Sequence, residues 1–168
     1  MEPTKTEAIY SGKMFDVLRE TWEGREREIV VHTGSVTIVA IDGDGRFVLV
    51  RQFREAARKK LLELPAGIID EGEEPLETAR RELAEETGLR DGRWQELWRI
   101  HPSPGFVREP VTIFLAEDLE EGEPSPDAGE DVELVRLTAE ELEDVLGQLE
   151  DAKTLVGLLL CLRERRDA

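Results

Sequence analysis

The fold is decided by residues 67–89, which read GIIDEGEEPLETARRELAEETGL. A helix is predicted over residues 74–87, because Pro75 suits the first turn of a helix and Gly88 suits the position after its last turn. Apolar residues recur at helical spacing and are expected to form its buried face: Leu76, Ala79 and Leu83. This interior helix, with strands predicted on both sides of it, indicates a mixed α/β domain.

Three glutamates crowd the C-terminal half of the predicted helix: Glu82, Glu85 and Glu86. Glu82 and Glu86 are four residues apart and lie on one face, where like charges repel. The negative end of the helix dipole is also unfavourable to them, and each contribution costs a few tenths of a kcal/mol to about 1 kcal/mol. A divalent cation would turn this repulsion into binding, because Mg²⁺ prefers oxygen ligands and commonly takes carboxylates together with phosphate oxygens.

Two neighbouring residues extend the pattern. Arg81 can pair with a carboxylate and hold it in place, and Glu73, just ahead of the helix, can reach toward the same point. The alternative is a solvated, glutamate-rich surface on which Arg81 forms ordinary ion pairs with Glu77 and Glu85. Spacing alone leaves the metal site and the solvated surface equally open.

The composition limits the class of protein. The 168 residues are 39% hydrophobic and 36% charged, which is typical of one globular domain. The formal net charge of −17 argues against binding duplex nucleic acid through its phosphates, and an acidic protein that handles phosphates needs cations as intermediaries. The single cysteine, Cys161, lies in the apolar run 155–162 and is expected in the core. That run is far shorter than the ~20 residues of a membrane span, and the N-terminus lacks a signal-peptide pattern, so a soluble cytoplasmic protein is expected.

The rest of the chain is predicted as strands and two C-terminal helices. Residues 36–41 and 47–50 form a hairpin around the glycine-containing turn 42–45. The other predicted strands cover residues 7–10, 15–22, 27–32, 94–100, 111–115 and 132–137. Thr138 and Glu141 form a capping box for a helix to about residue 149. A last helix covers residues 152–163, and the acidic segment 117–131 is predicted as a loop.

Residues 67–89 resemble the Nudix box at every fixed position: Gly67, then Glu73 after five residues, then RELAEETGL at 81–89 after seven more. The resemblance implies the Nudix fold, a mixed β-sheet sandwiched between helices. It also implies a loop–helix–loop that binds divalent metal and the pyrophosphate of a nucleoside diphosphate. The metal ligands it implies are Glu82, Glu85, Glu86, the supporting Glu73 and the carbonyl of Ala66. By the same resemblance Arg81 orients the carboxylates.

Outside the box, nearly the whole chain resembles the ADP-ribose pyrophosphatase branch of the family. The segments that carry this resemblance are 10–16 with 25–32, FVLVRQFR at 47–54, ELPAG at 63–67 and SPGF at 103–106. Pro104 lies fifteen residues after Leu89, where the branch carries its characteristic proline, and Pro104 and Gly105 are expected at the substrate. Val107-Arg108-Glu109 departs from the acidic pair common in related enzymes, which leaves the specificity for the sugar open.

The branch also implies a homodimer in which a small N-terminal antiparallel sheet, residues 1–34, is exchanged between subunits, and residues 35–168 form the catalytic domain. Adenine would lie at the subunit junction and stack on Phe15 or Trp22, although core packing is an alternative for both. Arg51 and Arg54 are expected to bind phosphates or stack near the base, since a guanidinium can do either. Surface ion pairing is their alternative.

The expected reaction uses Mg²⁺, with Mn²⁺ as a second option, and a water that attacks one phosphorus in line. The products would be AMP and ribose 5-phosphate. Glu130, in the acidic loop, is the candidate general base, and Glu109 is the second candidate.

Two alternatives concern function. The substrate could instead be another nucleoside diphosphate sugar such as GDP-mannose, or a dinucleoside polyphosphate. A protein of another class, a Nudix-like module that senses a nucleotide without cleaving it, should have lost carboxylates of the box. All of them are present in this sequence.

Overall fold

The computed structural model describes residues 1–125 and 132–167. The strands in these ranges are β1 (Lys5–Ser11), β2 (Asp16–Trp22), β3 (Arg25–Val31), β4 (Ser35–Asp42), β5 (Phe47–Arg54), β6 (Lys59–Glu63), β7 (Ala66–Ile68), β8 (Arg93–Ile100), β9 (Val107–Arg108), β10 (Val111–Leu119) and β11 (Glu133–Leu137). The helices are α1 (Pro75–Thr87), α2 (Ala139–Val145), which continues as a 3-10 turn (Leu146–Gln148), and α3 (Ala152–Asp167).

A seven-stranded mixed sheet forms the centre of the molecule. Its strand order is β11-β5-β4-β10-β8, with β6 paired to β5 and β7 paired to β4. The central strand β4 is antiparallel to β5 and parallel to β10. Residues of β4 are buried along its whole length, as expected for a strand that is covered on both faces.

Side chains of β4 alternate between two apolar cores. Val36, Ile38 and Ala40 pack with Ala79 and Leu83 of α1 on one face of the sheet. Val39 and Ile41 pack on the other face in the core that contains Leu142 of α2, and Leu158 and Cys161 of α3. Each fully buried aliphatic side chain contributes roughly 1.5–3 kcal/mol to folding. The sheet between helices, predicted by resemblance, is confirmed, as is the core position of Cys161.

Helix α1 begins and ends as its sequence predicts. A capping box joins Glu74 and Glu77 at its start, and Gly88 adopts the left-handed conformation after its last residue, with φ 77°. The predicted buried face is wrong at Leu76, which is 37% exposed, whereas Thr78 is fully buried. Leu76 lies in the first turn, where it reaches a shallow surface cavity beside Trp94 instead of the core.

The N-terminal strands form a second sheet in the order β1-β2-β3-β9. The short β9 runs parallel to β3 and places Val107 and Arg108 opposite Val30 and Val31. The loop that follows the predicted proline turn therefore contributes to the N-terminal sheet.

Several predicted boundaries differ from the structure. Strand β10 continues to Leu119, because Glu117 pairs with Arg93 of β8 and Leu119 pairs with Asp42 of β4, so the loop predicted from residue 117 begins later. Thr138 and Glu141 do form their capping box, but α2 is shorter than predicted and α3 is longer. The sequence did not predict strands β6, β7 and β9. No helix in the described ranges has the length and apolar character needed to cross a membrane.

Candidate active site

Arg81 organises the carboxylates of the helix. Its Nη1 donates to Glu82 Oε1 at 2.7 Å and to Glu85 Oε2 at 3.2 Å. Its Nε and Nη2 donate to the two carboxylate oxygens of Glu73 at 3.1 and 2.9 Å. One guanidinium therefore holds three acidic side chains together, and a planar fork with several N–H groups is suited to this task.

The hydrogen bonds from Arg81 lower the pKa of Glu73 to about 2. The hydroxyl of Thr78 also donates to Glu73 at 2.8 Å, and it supports the ionised carboxylate. In turn, the hydrogen bond to Glu73 and the attraction of Glu82 raise the pKa of Arg81 above its ordinary value. The pair consequently stays charged throughout the neutral range.

Strand β7 approaches the glutamates of α1 closely. The amide of Ala66 donates to Glu86 Oε2 at 3.3 Å, and Glu86 is buried. Gly67 leaves room for Glu82, because a Cβ at this position would overlap the Glu82 carboxylate. A larger residue here would displace the Glu82 carboxylate, and this is the place where the Nudix box has its first glycine.

A cavity of about 390 Å³ lies between β5, β7 and α1. Charged side chains of both signs line it: Arg54, Asp70, Arg81, Glu82 and Glu86. The rest of its wall is formed by Gln52, Met14 and residues 66–68. Two of the sequence-predicted carboxylates, Glu82 and Glu86, are thus brought to one cavity with Arg54, whereas Glu73 and Glu85 do not line it.

The donor set fits a divalent cation. Glu82 and Glu86 both present carboxylates to the cavity, and Mg²⁺ commonly binds one or two carboxylates with substrate oxygens and water. Within the described ranges no three acidic or histidine side chains converge on one point. Arg81 pairs with three of the box carboxylates: Glu73, Glu82 and Glu85. A cation at Glu82 and Glu86 would therefore compete with Arg81 for Glu82, just as it would for Glu73 and Glu85.

The two predicted phosphate-binding arginines lie on opposite faces of β5. Arg54 lines the cavity and donates from Nε and Nη2 to the carboxylate of Glu63, at 2.5 to 3.1 Å. Burial lowers the pKa of Arg54, but the hydrogen bond and the charge of Glu63 outweigh burial and leave it raised. Arg51 instead lies 3.5 Å from Glu133 and lines a different cavity beside Lys60.

The aromatic candidates lie in the N-terminal sheet and the turn before β2. Phe15 is 44% exposed, and its ring centroid is 5.7 Å from that of Tyr10. The neighbouring residue Met14 lines the carboxylate cavity. Trp22 is half-buried, and its Nε1 donates to Glu20 at 2.8 Å.

Pro104, Gly105 and Glu109 do not line the carboxylate cavity. Pro104 and Gly105 are exposed. Glu109 accepts a hydrogen bond from the hydroxyl of Ser35 at 3.2 Å and lines a second cavity, which adjoins the first. Glu130 lies outside the described residues.

Sequence reasoning missed several residues at these cavities. The carboxylate cavity is also lined by Gln52. The second cavity is also lined by His32, Ser35 and Lys153. Glu63 belongs to the segment ELPAG, but nothing in that segment marks it as the buried partner of Arg54. The one signal for Lys153 was a lysine in the first turn of a predicted helix, where the helix dipole disfavours a cation.

The fold and the site define a class of protein: an α/β sandwich whose loop–helix–loop presents carboxylates to a cavity suited to a divalent cation and phosphate. Residues 31–156 match the NUDIX domain, and the chain belongs to this family. Proteins of the family generally use a divalent metal. The predicted Nudix membership is thereby confirmed.

Two proteins from Bacillus species are similar to this chain over most of its length. An ADP-ribose pyrophosphatase of Bacillus subtilis (strain 168) is 40% identical over 90% of this chain and 87% of its own length. A methanol dehydrogenase activator of Bacillus methanolicus is 35% identical over 92% of this chain and 88% of its own. A crystal structure described as an ADP compounds hydrolase superposes with a TM-score of 0.83 at 24% identity, covering 99% of this chain and 96% of its own, and supports the fold. The resemblance to the ADP-ribose pyrophosphatase branch is confirmed by the first of these.

Proposed function

We propose that this chain is a Mg²⁺-dependent ADP-ribose pyrophosphatase that converts ADP-ribose and water into AMP and ribose 5-phosphate. The observation that carries the proposal is the shared cavity, in which Arg54 faces Glu82 and Glu86 across a space of about 390 Å³. Similarity to an ADP-ribose pyrophosphatase over 90% of the chain selects the substrate.

Bound Mg²⁺, or Mn²⁺ in its place, would neutralise charge on the phosphoryl oxygens and make a bound water more acidic. Glu82 and Glu86 would hold the cation, with Glu73, Glu85 and the carbonyl of Ala66 as further oxygen donors. Arg81 holds the carboxylates in place before the substrate arrives.

The chain's own side chains have three tasks in the reaction. Arg54 binds a phosphate of the substrate, since its position at the cavity and its partner Glu63 keep its charge in place. Glu130 accepts the proton of the attacking water, and Glu109 is the second candidate for this task. The water oxygen forms a new bond to one phosphorus while the bond from that phosphorus to the bridging oxygen breaks, and the bridging oxygen leaves with the other phosphate.

The active form that we propose is a cytoplasmic homodimer that exchanges residues 1–34 and leaves residues 35–168 as the catalytic domain. Exposed apolar side chains of the N-terminal segment support this proposal: Ile9, Tyr10, Met14 and Phe15. Such a patch is typical of a surface that is covered in an assembly. Phe15 or Trp22 would stack on the adenine at the junction, with Arg51, Pro104 and Gly105 near the substrate. Sedimentation velocity at micromolar concentration should show a dimer, and an active monomer would contradict the exchanged sheet.

The substrate is tested by measuring kcat/KM with Mg²⁺ for ADP-ribose, GDP-mannose and diadenosine polyphosphates. We expect ADP-ribose to give the highest value. A higher value for either of the others would move the proposal to that substrate. Binding of ADP-ribose without cleavage of any of them would favour the nucleotide-sensing module.

A further inference from the structure

A second cavity, of about 330 Å³, adjoins the carboxylate cavity. The two share Arg54 and residues 66–68, so β7 forms a common wall. The remaining lining of the second cavity is polar: His32, Ser35, Glu109 and Lys153. A ligand bound at Arg54 can therefore extend from the carboxylates into a polar space.

An ion pair with Asp151 holds Lys153 at this cavity. Its Nζ lies 2.9 Å from Asp151 Oδ1, and its side chain is 26% exposed. Lys153 is the second residue of α3, where the positive end of the helix dipole disfavours a cation. The helix dipole therefore opposes Lys153, and its ion pair with Asp151 offsets this and keeps the ammonium group at the cavity.

Two hydrogen bonds from Thr154 fix the position of Asp151, the partner of Lys153. Asp151 accepts hydrogen bonds from the amide and the hydroxyl of Thr154, both at 2.8 Å. Burial raises the pKa of Asp151, but the charge of Lys153 and the bonds from Lys153 and Thr154 outweigh burial, so the pKa lies below its ordinary value. Asp151 is therefore ionised and restrains Lys153.

The segment that contains Asp151 and Thr154 also contacts the residue next to Glu63, the partner of Arg54. Thr154 Oγ1 accepts from the amide of Leu64 at 2.9 Å, and Leu64 is fully buried beside Glu63. Two cations at one wall are thus each tied to a largely buried carboxylate, Arg54 to Glu63 and Lys153 to Asp151. Their positions are fixed relative to each other by the start of α3 and the end of β6.

We propose that Lys153 is a further substrate-binding residue, which binds the sugar-phosphate half of the substrate in the second cavity. The proposal rests on the function proposed above. Lys153 supplies a donor, and the oxygens of Glu109 and Ser35 supply acceptors, which suits a sugar with its hydroxyls and an attached phosphate. No aromatic ring other than that of His32 is among the described residues lining this cavity, whereas bases are commonly held by stacking on aromatic rings.

The test compares Lys153→Ala with Lys59→Ala as a matched control. Lys59 pairs with Glu150, the residue next to Asp151, but lines neither cavity. We expect Lys153→Ala to raise KM for ADP-ribose on the order of tenfold with little change in kcat, because a hydrogen bond to a charged group is lost in ground and transition state alike. Lys153→Arg should recover part of this loss, and Lys59→Ala should match the wild type. Thermal unfolding of each variant verifies that the fold is intact.

Product binding identifies the half of the substrate that Lys153 contacts. In calorimetric titrations, Lys153→Ala should weaken ribose 5-phosphate by on the order of tenfold and leave AMP unchanged. Equal behaviour of Lys153→Ala and Lys59→Ala would overturn the proposal, and so would weaker binding of AMP alone. If the wild type does not cleave ADP-ribose, the proposed function fails, whereas normal cleavage with an unaffected Lys153→Ala variant refutes only the role of Lys153.

Discussion

Replacing Glu63 by glutamine should weaken both the fold and substrate binding, because it removes the charged partner of Arg54. Glu63 is 3% exposed, and its two carboxylate oxygens accept three hydrogen bonds from Arg54 at 2.5 to 3.1 Å. Glutamine has the same shape but can accept through one oxygen only. The change thus removes the only carboxylate that is hydrogen-bonded to this guanidinium among the described residues and leaves the more distant charges of Glu86 and Asp151.

The magnitude follows from the burial of the pair. Removing one partner of a fully buried ion pair costs about 3–5 kcal/mol. The side chain of Arg54 is 40% exposed and can be solvated in part, so we expect a loss of about 1–3 kcal/mol in the free energy of unfolding. For a domain of this size, each kcal/mol lowers Tm by about 2–4 °C. The misplaced Arg54 should raise KM roughly tenfold, equivalent to about 1.4 kcal/mol of binding.

Urea unfolding and steady-state kinetics measure the two effects. Glu150→Gln is the control, because Glu150 is also paired with a cation but is exposed, and its loss should cost at most about 1 kcal/mol. If Glu63→Gln has the stability of Glu150→Gln and a normal KM, Glu63 does not position Arg54. If stability falls while KM is unchanged, the pair serves the fold and Arg54 does not bind substrate.

Four further predictions concern the carboxylates. Glu86→Gln should lower kcat by about 100-fold or more with the fold intact, since a cation ligand is lost, and near-normal turnover would remove Glu86 from the metal site. Gly67→Ala should lower kcat/KM on the order of 100-fold by displacing the Glu82 carboxylate, and unchanged kinetics would mean that β7 shifts without consequence. Glu130→Gln should lower kcat more than it changes KM, because a base acts in the transition state, and an unchanged kcat would direct attention to Glu109. The pKa of Glu73 is lowered from 4.5 to about 2, so its contribution to stability is complete above about pH 4.5 and is lost as the pH falls toward 2; Glu73→Gln should flatten the stability profile in that window, and an unaltered profile would contradict the pairing with Arg81.

The central helix and its cluster were predictable because their signals are local. Pro75, Gly88 and the glutamate spacing each act within one or two turns, and the structure places them as expected. The prediction that Leu76 is buried was wrong, because periodicity gives the face of a helix but not which of its turns the core covers. Strand β9 depends on its pairing with β3, which no local pattern reports.

The positions of the cationic side chains could be predicted from the sequence only in part. Strand alternation already implies that Arg51 and Arg54, three residues apart, face opposite sides, and the structure shows this. Glu63 lies nine residues from Arg54 and meets it only through the pairing of β5 with β6. Lys153 reaches the same wall from α3, about 100 residues later, so its place depends on tertiary packing.

The most direct test of the central claim is to incubate the wild-type chain with ADP-ribose and Mg²⁺ and to quantify the products by chromatography, with and without EDTA. We predict AMP and ribose 5-phosphate in equal amounts, with no products when EDTA is present. Equal cleavage with and without EDTA would contradict the metal site at Glu82 and Glu86. Products other than this pair would show that the bond broken is not the one between the two phosphates.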